Sequence, residues 1–214
     1  MSTYLTKLAR GAAAIRVRWR SALWRRILRA PGISLGDGCQ IIGEKHLHVG
    51  KDFRAGRLLW LEAVPRYRGQ HLEPKLIIGK RVSCSDSVHI ACAFSVTIGN
   101  DVLIGSKVHI TDHNHGIYGG TGSHSTPDQP PAERPLHGAK VIIEDRVFLA
   151  DGVVVLPGSV IGAGVIVGAN STVSGSLPPD TICVGTPARP IKRFDASTNM
   201  WQAWQPQESG SLPL

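Results

Sequence analysis

The chain has 214 residues, a formal net charge of +8 and 24 glycines, and 19% of its residues are charged. A chain of this length can fold as one domain with appendages around a sizeable core. Its apolar runs are shorter than the roughly 18 residues of a membrane-spanning helix, and GAAAI near the N-terminus is too short for a secretory signal. The four cysteines have no CxxC spacing, which predicts reduced, structural thiols.

The first 30 residues carry the entire excess of positive charge. They contain eight lysines and arginines and no acidic residue, whereas the rest of the chain has 16 basic and 16 acidic residues. An apolar stripe at helical spacing predicts a basic amphipathic helical arm over residues 1–32, and its members are Leu8, Ala12, Ile15, Trp19 and Leu23. Such an arm suits a membrane surface, a cap on the following domain or a transit peptide. Because no nucleic-acid-reading module accompanies it, we expect no nucleic-acid partner.

A six-residue repeat begins at residue 143 and reads IEDRVF, LADGVV, VLPGSV, IGAGVI, VGANST and VSGSLP. Its first position is aliphatic throughout, at Ile143, Leu149, Val155, Ile161, Val167 and Val173. Its fifth position is aliphatic or a small hydroxyl, at Val147, Val153, Ser159, Val165, Ser171 and Leu177. A period of six fits neither a helix nor an amphipathic strand. It is typical of hexapeptide repeats, which wind into a parallel β-helix with one continuous core.

The same period occurs upstream. Ile78, Cys84 and Ile90 are six residues apart, as are Ile98, Ile104 and Ile110, and Val82, Val88, Phe94, Val102 and Val108 are their expected core companions. The step of eight from Ile90 to Ile98 predicts a two-residue insertion near residues 94–96. We therefore expect an all-β solenoid domain over residues 33–193. A polar, extended or partly disordered tail is expected over residues 194–214, in which Trp201 and Trp204 could pack on the outside of the coil or on a neighbouring subunit.

Residues 54–75 depart from the period. The segment LLWLEAV is expected to be one side of a coil, followed by a decorated corner. Its aromatic and basic residues, Arg57, Trp60, Arg66, Tyr67 and Arg68, could contact an acidic or sugar acceptor, although a purely structural corner is the favoured interpretation.

A second interruption lies between Ile110 and Val141 and predicts an excursion loop over about residues 111–140. Long loops on rigid scaffolds often carry function. This loop opens with His113 and His115 directly after a strand. Imidazoles there could serve as a general base, as zinc ligands or as ordinary polar loop residues. The HxH spacing at the break of the repeat favours a functional role.

The run VLIGSKVHITDHNHGIY and the later segments DRVFLADGVVVLPG and VGTPAR closely resemble the hexapeptide-repeat acetyltransferases. The nearest branch is the O-acetyltransferases of lipopolysaccharide and capsule biosynthesis, and the resemblance extends over roughly residues 33–204. It implies a left-handed β-helix, a homotrimer with sites in clefts between neighbouring subunits, and acetyl-CoA as co-substrate. It also implies that a loop histidine is the general base. His115 matches the family position best, and His113 is the second choice.

The resemblance further implies a set of residues that contact CoA. Asp151, Ser174 and Lys192 match family contact positions. Small side chains at Ala150, Gly168 and Ala169 would let the narrow pantetheine chain approach the edge of a coil. Arg189 and Lys192 could meet the phosphates. No metal site is implied, so no metal is expected.

These observations predict an acetyl-CoA-dependent O-acetyltransferase. Its expected acceptor is a hydroxyl of a cell-surface polysaccharide sugar or of a lipid- or nucleotide-linked precursor. Three alternatives stay open: a small-molecule or xenobiotic acceptor, a carbonic-anhydrase-like zinc enzyme on the same fold, and a non-catalytic trimeric scaffold. The expected location is the cytoplasm, with peripheral contact to the inner face of the membrane through residues 1–30 as one interpretation of the arm.

Overall fold

The computed structural model describes residues 15 and 17–205. Helix α1 covers residue 15 and residues 17–27, and the chain then winds through short strands that are numbered here in chain order. Short 3-10 helices lie at Glu44–His46 and Pro131–Glu133. Within the described ranges, no helix is both long and apolar enough to cross a membrane.

Three parallel sheets form the three sides of the solenoid. Sheet A contains β1 (Ser34–Leu35), β4 (Arg54–Ala55), β9 (Ser83–Cys84), β12 (Leu103–Ile104), β17 (Phe148–Leu149), β20 (Ile166–Val167) and β23 (Thr181–Gly185). Sheet B contains β2 (Gln40–Ile42), β5 (Trp60–Ala63), β10 (His89–Cys92), β13 (His109–Thr111), β18 (Val154–Val155) and β21 (Thr172–Val173). Sheet C contains β3 (Leu47–Val49), β8 (Lys75–Ile78), β11 (Ser95–Ile98), β16 (Val141–Ile143), β19 (Val160–Ile161) and β22 (Ser176–Leu177). Successive strands occupy successive sheets, which is the predicted left-handed parallel β-helix.

The repeat positions form the core as predicted. Leu149 pairs in register with Val167 in the next coil, and Val155 pairs with Val173 on the next side. All first and fifth positions from residue 143 to residue 177 are at most 5% exposed. Each coil buries its apolar side chains against the coils on either side, so the core is continuous along the solenoid.

One expected core residue lies elsewhere. Phe94 is only half-buried, and Val96 occupies the fully buried position on that side. The two-residue insertion is present, but it forms a bend that binds the carboxylate of Asp112. That carboxylate accepts hydrogen bonds from the backbone N–H groups of Ala93, Phe94 and Ser95, with N···O distances of 2.9, 2.8 and 2.6 Å. Phe94 leaves the core because its backbone serves this bend.

Aspartates at the corners connect neighbouring coils. Asp145 accepts a 2.7 Å hydrogen bond from the backbone N–H of Asn100, and Asp151 accepts one of 2.6 Å from Ser106. A Cβ atom on Gly105 would lie 2.5 Å from a carboxylate oxygen of Asp151. The corner therefore needs glycine because the neighbouring aspartate occupies the space of a side chain.

Helix α1 closes the N-terminal end of the solenoid, as one of the sequence interpretations predicts. Leu28 is buried, and Trp24 packs against the core. The backbone N–H of Leu35 donates a 3.0 Å hydrogen bond to the buried hydroxyl of Ser21. The predicted stripe residues Leu8 and Ala12 lie outside the described residues.

The segment after the last coil forms two strands up to residue 203, where an extended or partly disordered tail was predicted from residue 194. Strands β24 (Ala188–Asp195) and β25 (Met200–Ala203) add to sheet A in antiparallel orientation. The expected domain boundary at residue 193 therefore falls inside β24. The rings of Phe194 and Trp201 meet edge-on at 5.4 Å. β25 is the edge strand of sheet A, and because an edge strand needs no continuous apolar face, its polar sequence did not indicate a strand.

Two excursions leave the solenoid and meet each other. Strands β6 (Arg66–Tyr67) and β7 (Gln70–His71) form an antiparallel hairpin, which is the decorated corner predicted for residues 54–75. Strands β14 (His113–His115) and β15 (Leu136–Gly138) pair at the neck of the long loop. The Gln70 side chain joins the hairpin to the neck, donating to the Leu136 carbonyl at 3.1 Å and accepting from its N–H at 2.7 Å.

Candidate active site

Both predicted catalytic histidines lie on β14, at the neck of the long loop. Gly138 faces His113 across the antiparallel pair, and buried Leu136 faces His115. A Cβ atom on Gly138 would lie 1.8 Å from the carbonyl oxygen of Asp112. Only glycine lets the two strands approach this closely, so Gly138 fixes where β14 leaves the coil.

A buried carboxylate holds His113. Asp112 is fully buried, and its Oδ1 lies 2.8 Å from Nδ1 of His113. Burial raises the pKa of Asp112, but the hydrogen bonds from His113 and from the backbone of Ala93 and Phe94 outweigh it and hold the pKa below its ordinary value. The group is therefore a carboxylate at neutral pH. Hydrogen bonding to a carboxylate assigns the imidazole proton to Nδ1 and leaves Nε2 of His113 as an acceptor.

Tyr67 orients His115. The Tyr67 hydroxyl lies 3.0 Å from Nδ1 of His115 and 2.7 Å from the carbonyl oxygen of Ala132. A hydroxyl has one proton and a carbonyl only accepts, so Tyr67 donates to Ala132 and accepts from His115. The two rings also meet edge-on at 5.1 Å. His115 itself is exposed, in contrast to the half-buried His113.

A ladder of three aromatic rings lies on the outer face of sheet B, beside the neck of the long loop. Trp60, His89 and His109 occupy equivalent positions on three successive strands. The rings of Trp60 and His89 stack at 4.2 Å, and those of His89 and His109 lie 4.8 Å apart. Burial, together with His109 and His113, lowers the pKa of His89 to about 4, and burial and His113 also lower the pKa of His109. Both imidazoles are therefore uncharged at physiological pH, and the three rings form an aromatic surface beside His113.

The sequence contains a signal for this ladder of rings, which lies in the residues that precede core positions. His89 and His109 each precede a first-position isoleucine, Ile90 and Ile110, which are paired in adjacent coils. Because side chains alternate across a strand, the residue before a core position faces outward. Stacking the repeats in register would have placed the two histidines side by side. The Asp112–His113 contact gave no such signal, since it depends on the path of the excursion.

The predicted CoA residues divide between the two edges of sheet B. Ala150 and Gly168 follow the paired strands β17 and β20, so they lie one above the other at the corner between sheets A and B. Asp151 and Ala169 are their next neighbours on the same corner. Ser174 follows β21 and lies at the opposite edge of sheet B, on the corner from which the long loop also departs.

The two predicted basic contacts also lie apart from each other. Arg189 pairs with Val184, whose side chain packs beneath Gly168, so Arg189 extends the corner between sheets A and B. Lys192 pairs with Ile182 and lies within sheet A. Both basic side chains are exposed. The structure thus brings Ala150, Gly168 and Arg189 together along one corner, with sheet B between them and His113.

No three histidine, cysteine, aspartate or glutamate side chains are grouped as metal ligands within residues 15 and 17–205. The described cysteines Cys39, Cys84, Cys92 and Cys183 are all free and buried.

Comparisons with known proteins agree with this architecture. The family model described as bacterial transferase hexapeptide (six repeats) matches residues 140–175. A protein named for O-acetyl transfer in lipopolysaccharide biosynthesis, WbbJ of Escherichia coli K12, is 40% identical over 196 residues, which cover 92% of this chain and 91% of that protein. The chain belongs to the hexapeptide-repeat acyltransferases.

Solved structures share the fold of this hexapeptide-repeat acyltransferase. A variant of the N-acyltransferase AntD from Bacillus cereus, in complex with dTDP-4-amino-4,6-dideoxyglucose and coenzyme A, has a TM-score of 0.64 at 20% identity, covering 84% of this chain and 91% of that one. A hexapeptide-repeat acetyltransferase of Vibrio cholerae, VCA0836, in complex with acetyl-CoA has a TM-score of 0.51 at 24% identity, covering 83% and 78%.

Proposed function

We propose that this acyltransferase moves the acetyl group of acetyl-CoA to a hydroxyl of a cell-surface polysaccharide sugar, or of its lipid- or nucleotide-linked precursor. The observation that carries the proposal is the pairing of His113 with the buried carboxylate of Asp112 at the neck of the long loop. The name of the Escherichia coli relative supports an oxygen acceptor in surface-polysaccharide synthesis.

The proposed reaction needs a base and two proton transfers. Nε2 of His113 takes the proton of the acceptor hydroxyl while its oxygen attacks the thioester carbonyl carbon. The tetrahedral oxyanion then collapses, the C–S bond breaks, and the sulfur of CoA takes the proton from the imidazolium. The carboxylate of Asp112 stabilises the imidazolium that exists between these two transfers.

The need to stabilise an imidazolium favours His113 over His115 as the proposed base. Both have Nδ1 engaged, His113 by a carboxylate and His115 by the Tyr67 hydroxyl. Only a carboxylate carries the negative charge that favours the imidazolium of a general base. We therefore assign the base to His113, which the sequence resemblance ranked second. His115, exposed and oriented by Tyr67, is assigned to contact with the acceptor.

We further propose that the enzyme is a homotrimer in which two chains complete each site. The corner with Ala150, Gly168 and Arg189 suits acetyl-CoA, because small side chains admit the pantetheine chain and a guanidinium can pair with phosphate. Within one chain this corner lies across sheet B from His113. A neighbouring subunit would bring its own corner to face His113. No metal takes part in this scheme.

Acetyl-CoA and buried free thiols both suit the cytoplasm, which we propose as the location. The acceptor is tested by incubating the enzyme with acetyl-CoA and a panel of lipid-linked oligosaccharides, nucleotide sugars, free sugars and xenobiotic alcohols. Mass spectrometry is expected to find one added acetyl group on a lipid- or nucleotide-linked sugar. Acetylation of a xenobiotic alone would replace the proposed acceptor. Failure of CoA to raise the thermal unfolding temperature, together with bound zinc, would contradict acetyl transfer itself.

A further inference from the structure

Helix α1 presents two apolar faces, and the solenoid covers only one of them. Ser21, Trp24 and Leu28 face the first coil. The opposite face leaves four large apolar side chains exposed at successive fourth positions: Ile15 at 58%, Trp19 at 75%, Leu23 at 57% and Ile27 at 44%. Capping the solenoid therefore explains one face of α1 and leaves this exposed stripe unexplained. An exposed tryptophan within such a stripe is typical of a surface that contacts another phase or molecule.

Arginines border the exposed stripe. At about 100° per residue, Arg18 and Arg25 fall on one flank and Arg20 on the other, while Arg26 falls within the stripe. Arg18, Arg25 and Arg26 are exposed. Long basic side chains beside an apolar stripe can bury their methylene groups along it while the charged ends reach phosphates. An open groove of about 670 Å³ also runs along this flank of α1, lined by Ile15 and Trp19 of the stripe, by Arg18 and Arg25, and by Ser34 of the first coil.

The positive charge of residues 1–30 indicates which partner can bind the exposed stripe of α1. Residues 1–30 carry eight basic residues and no acidic residue. Two copies of α1 packed stripe to stripe would bring like charges together, which opposes a self-association through this face. Anionic lipid headgroups attract each of these charges, and the apolar stripe can enter the boundary between headgroups and acyl chains.

We propose that α1 docks this enzyme on an anionic bilayer surface through the stripe formed by Ile15, Trp19, Leu23 and Ile27. The buried face of α1 is packed against the first coil, so the solenoid is fixed rigidly to the docked helix. The solenoid is then held in a fixed position next to the membrane surface, in contrast to a domain that is attached through a flexible linker. This inference concerns the location of the whole chain and does not depend on the chemistry assigned to His113.

The test is co-sedimentation of the full chain with phosphatidylcholine vesicles that contain about one third phosphatidylglycerol. Binding is expected at low salt, at least about tenfold weaker binding to pure phosphatidylcholine, and weakening with added salt because exposed charges are screened. The double variant Trp19→Ser/Leu23→Ser should lower the partition coefficient by about tenfold or more, since two large apolar side chains no longer enter the interface. Arg18→Glu/Arg25→Glu should lower it to a similar extent.

A matched control replaces two comparably exposed apolar residues on the solenoid. Ile42→Ser/Leu58→Ser, at positions that are 45% and 59% exposed, should bind vesicles like the wild type. Circular-dichroism melting verifies that each variant is folded. The proposal is overturned if the wild type ignores anionic vesicles at low salt, or if Trp19→Ser/Leu23→Ser binds as well as the control. A smaller assembly mass for that variant with unchanged vesicle binding would instead make the stripe an interface between copies.

Discussion

At the scale of single residues, Asp112 links the fold to the proposed chemistry. Its carboxylate binds the backbone of Ala93, Phe94 and Ser95 with one set of lone pairs and His113 with another. The bend at the insertion therefore places the carboxylate, and the carboxylate orients the imidazole. A repeat pattern can locate the insertion and the histidine, but it cannot show that one aspartate bridges them.

Asp112→Asn separates these two functions. The amide cannot stabilise an imidazolium, so kcat should fall by roughly two orders of magnitude or more. Its NH₂ group also opposes the backbone donors, which should reduce the free energy of unfolding by about 1–3 kcal/mol. Steady-state kinetics and urea denaturation measure the two effects. Asp145→Asn, at a corner carboxylate that serves only structure, should leave kcat unchanged. Normal turnover in Asp112→Asn would contradict the assignment of the base.

His89 should make stability depend on pH. Its pKa is about 4 in the folded chain and near 6.5 when unfolded, so the unfolded chain binds more protons between these values. The folded state therefore loses stability as the pH falls from 6.5 to 4, by about 2 kcal/mol from this residue. In urea denaturation over this range, His89→Phe should show a shallower loss than the wild type. His48→Phe, at an exposed position, should not. Identical slopes for His89→Phe and wild type would refute this role.

At the scale of elements, the period of six made the solenoid predictable. Each first-position residue pairs with its equivalent one coil away, so the core could be named residue by residue except at the insertion, where Val96 is buried and the expected Phe94 is not. The hairpin β6–β7 and the strands β24 and β25 pair in antiparallel orientation and follow no period. The local sequences of these strands do not predict which strand each of them pairs with. For the same reason the partnership of Tyr67 with His115 emerged only from the folded chain.

The neck of the long loop should be sensitive to a single methyl group. Gly138→Ala would push β15 away from Asp112 and displace His113, and displacement of about 1 Å can cost roughly a hundredfold in rate. We expect kcat to fall at least tenfold, while CoA still raises the unfolding temperature. Gly122→Ala in the same loop is the control, because no atom lies within 4 Å of its added Cβ. Equal activity of the two variants would show that the neck does not position the base.

At the scale of the whole molecule, the separation of the two corners by sheet B predicts sites shared between chains. The assembly mass should be about three times the 23.0 kDa of one chain, measured by light scattering. Ala169→Trp should block the acetyl-CoA corner, and His113→Ala should remove the base. Each variant alone should be inactive. Co-expressed in equal amounts, they should recover about one quarter of the wild-type activity, because random assortment pairs two intact halves at one interface in four. Absence of recovery in a mixed trimer would place each site within one chain.

The N-terminal arm was predictable from the sequence only in part. The excess charge of residues 1–30 and the stripe members Ile15, Trp19 and Leu23 were predictable from composition and helical spacing, whereas Ile27 was not among the expected members. That α1 covers the first coil with one face and exposes the other required its packing against Leu35 and the core. Membrane docking and solenoid capping were alternatives in the sequence, and opposite faces of one helix can accommodate both.

The proposed role of His113 as the general base is tested most directly by comparing kcat for acetyl transfer in His113→Ala and His115→Ala, using an acceptor from the panel. His113→Ala should lose roughly two to four orders of magnitude in kcat, the usual contribution of a general base, while CoA still raises its unfolding temperature. His115→Ala should lose less. Near-normal turnover in His113→Ala, with loss of turnover in His115→Ala, would mean that His115 and not His113 is the base.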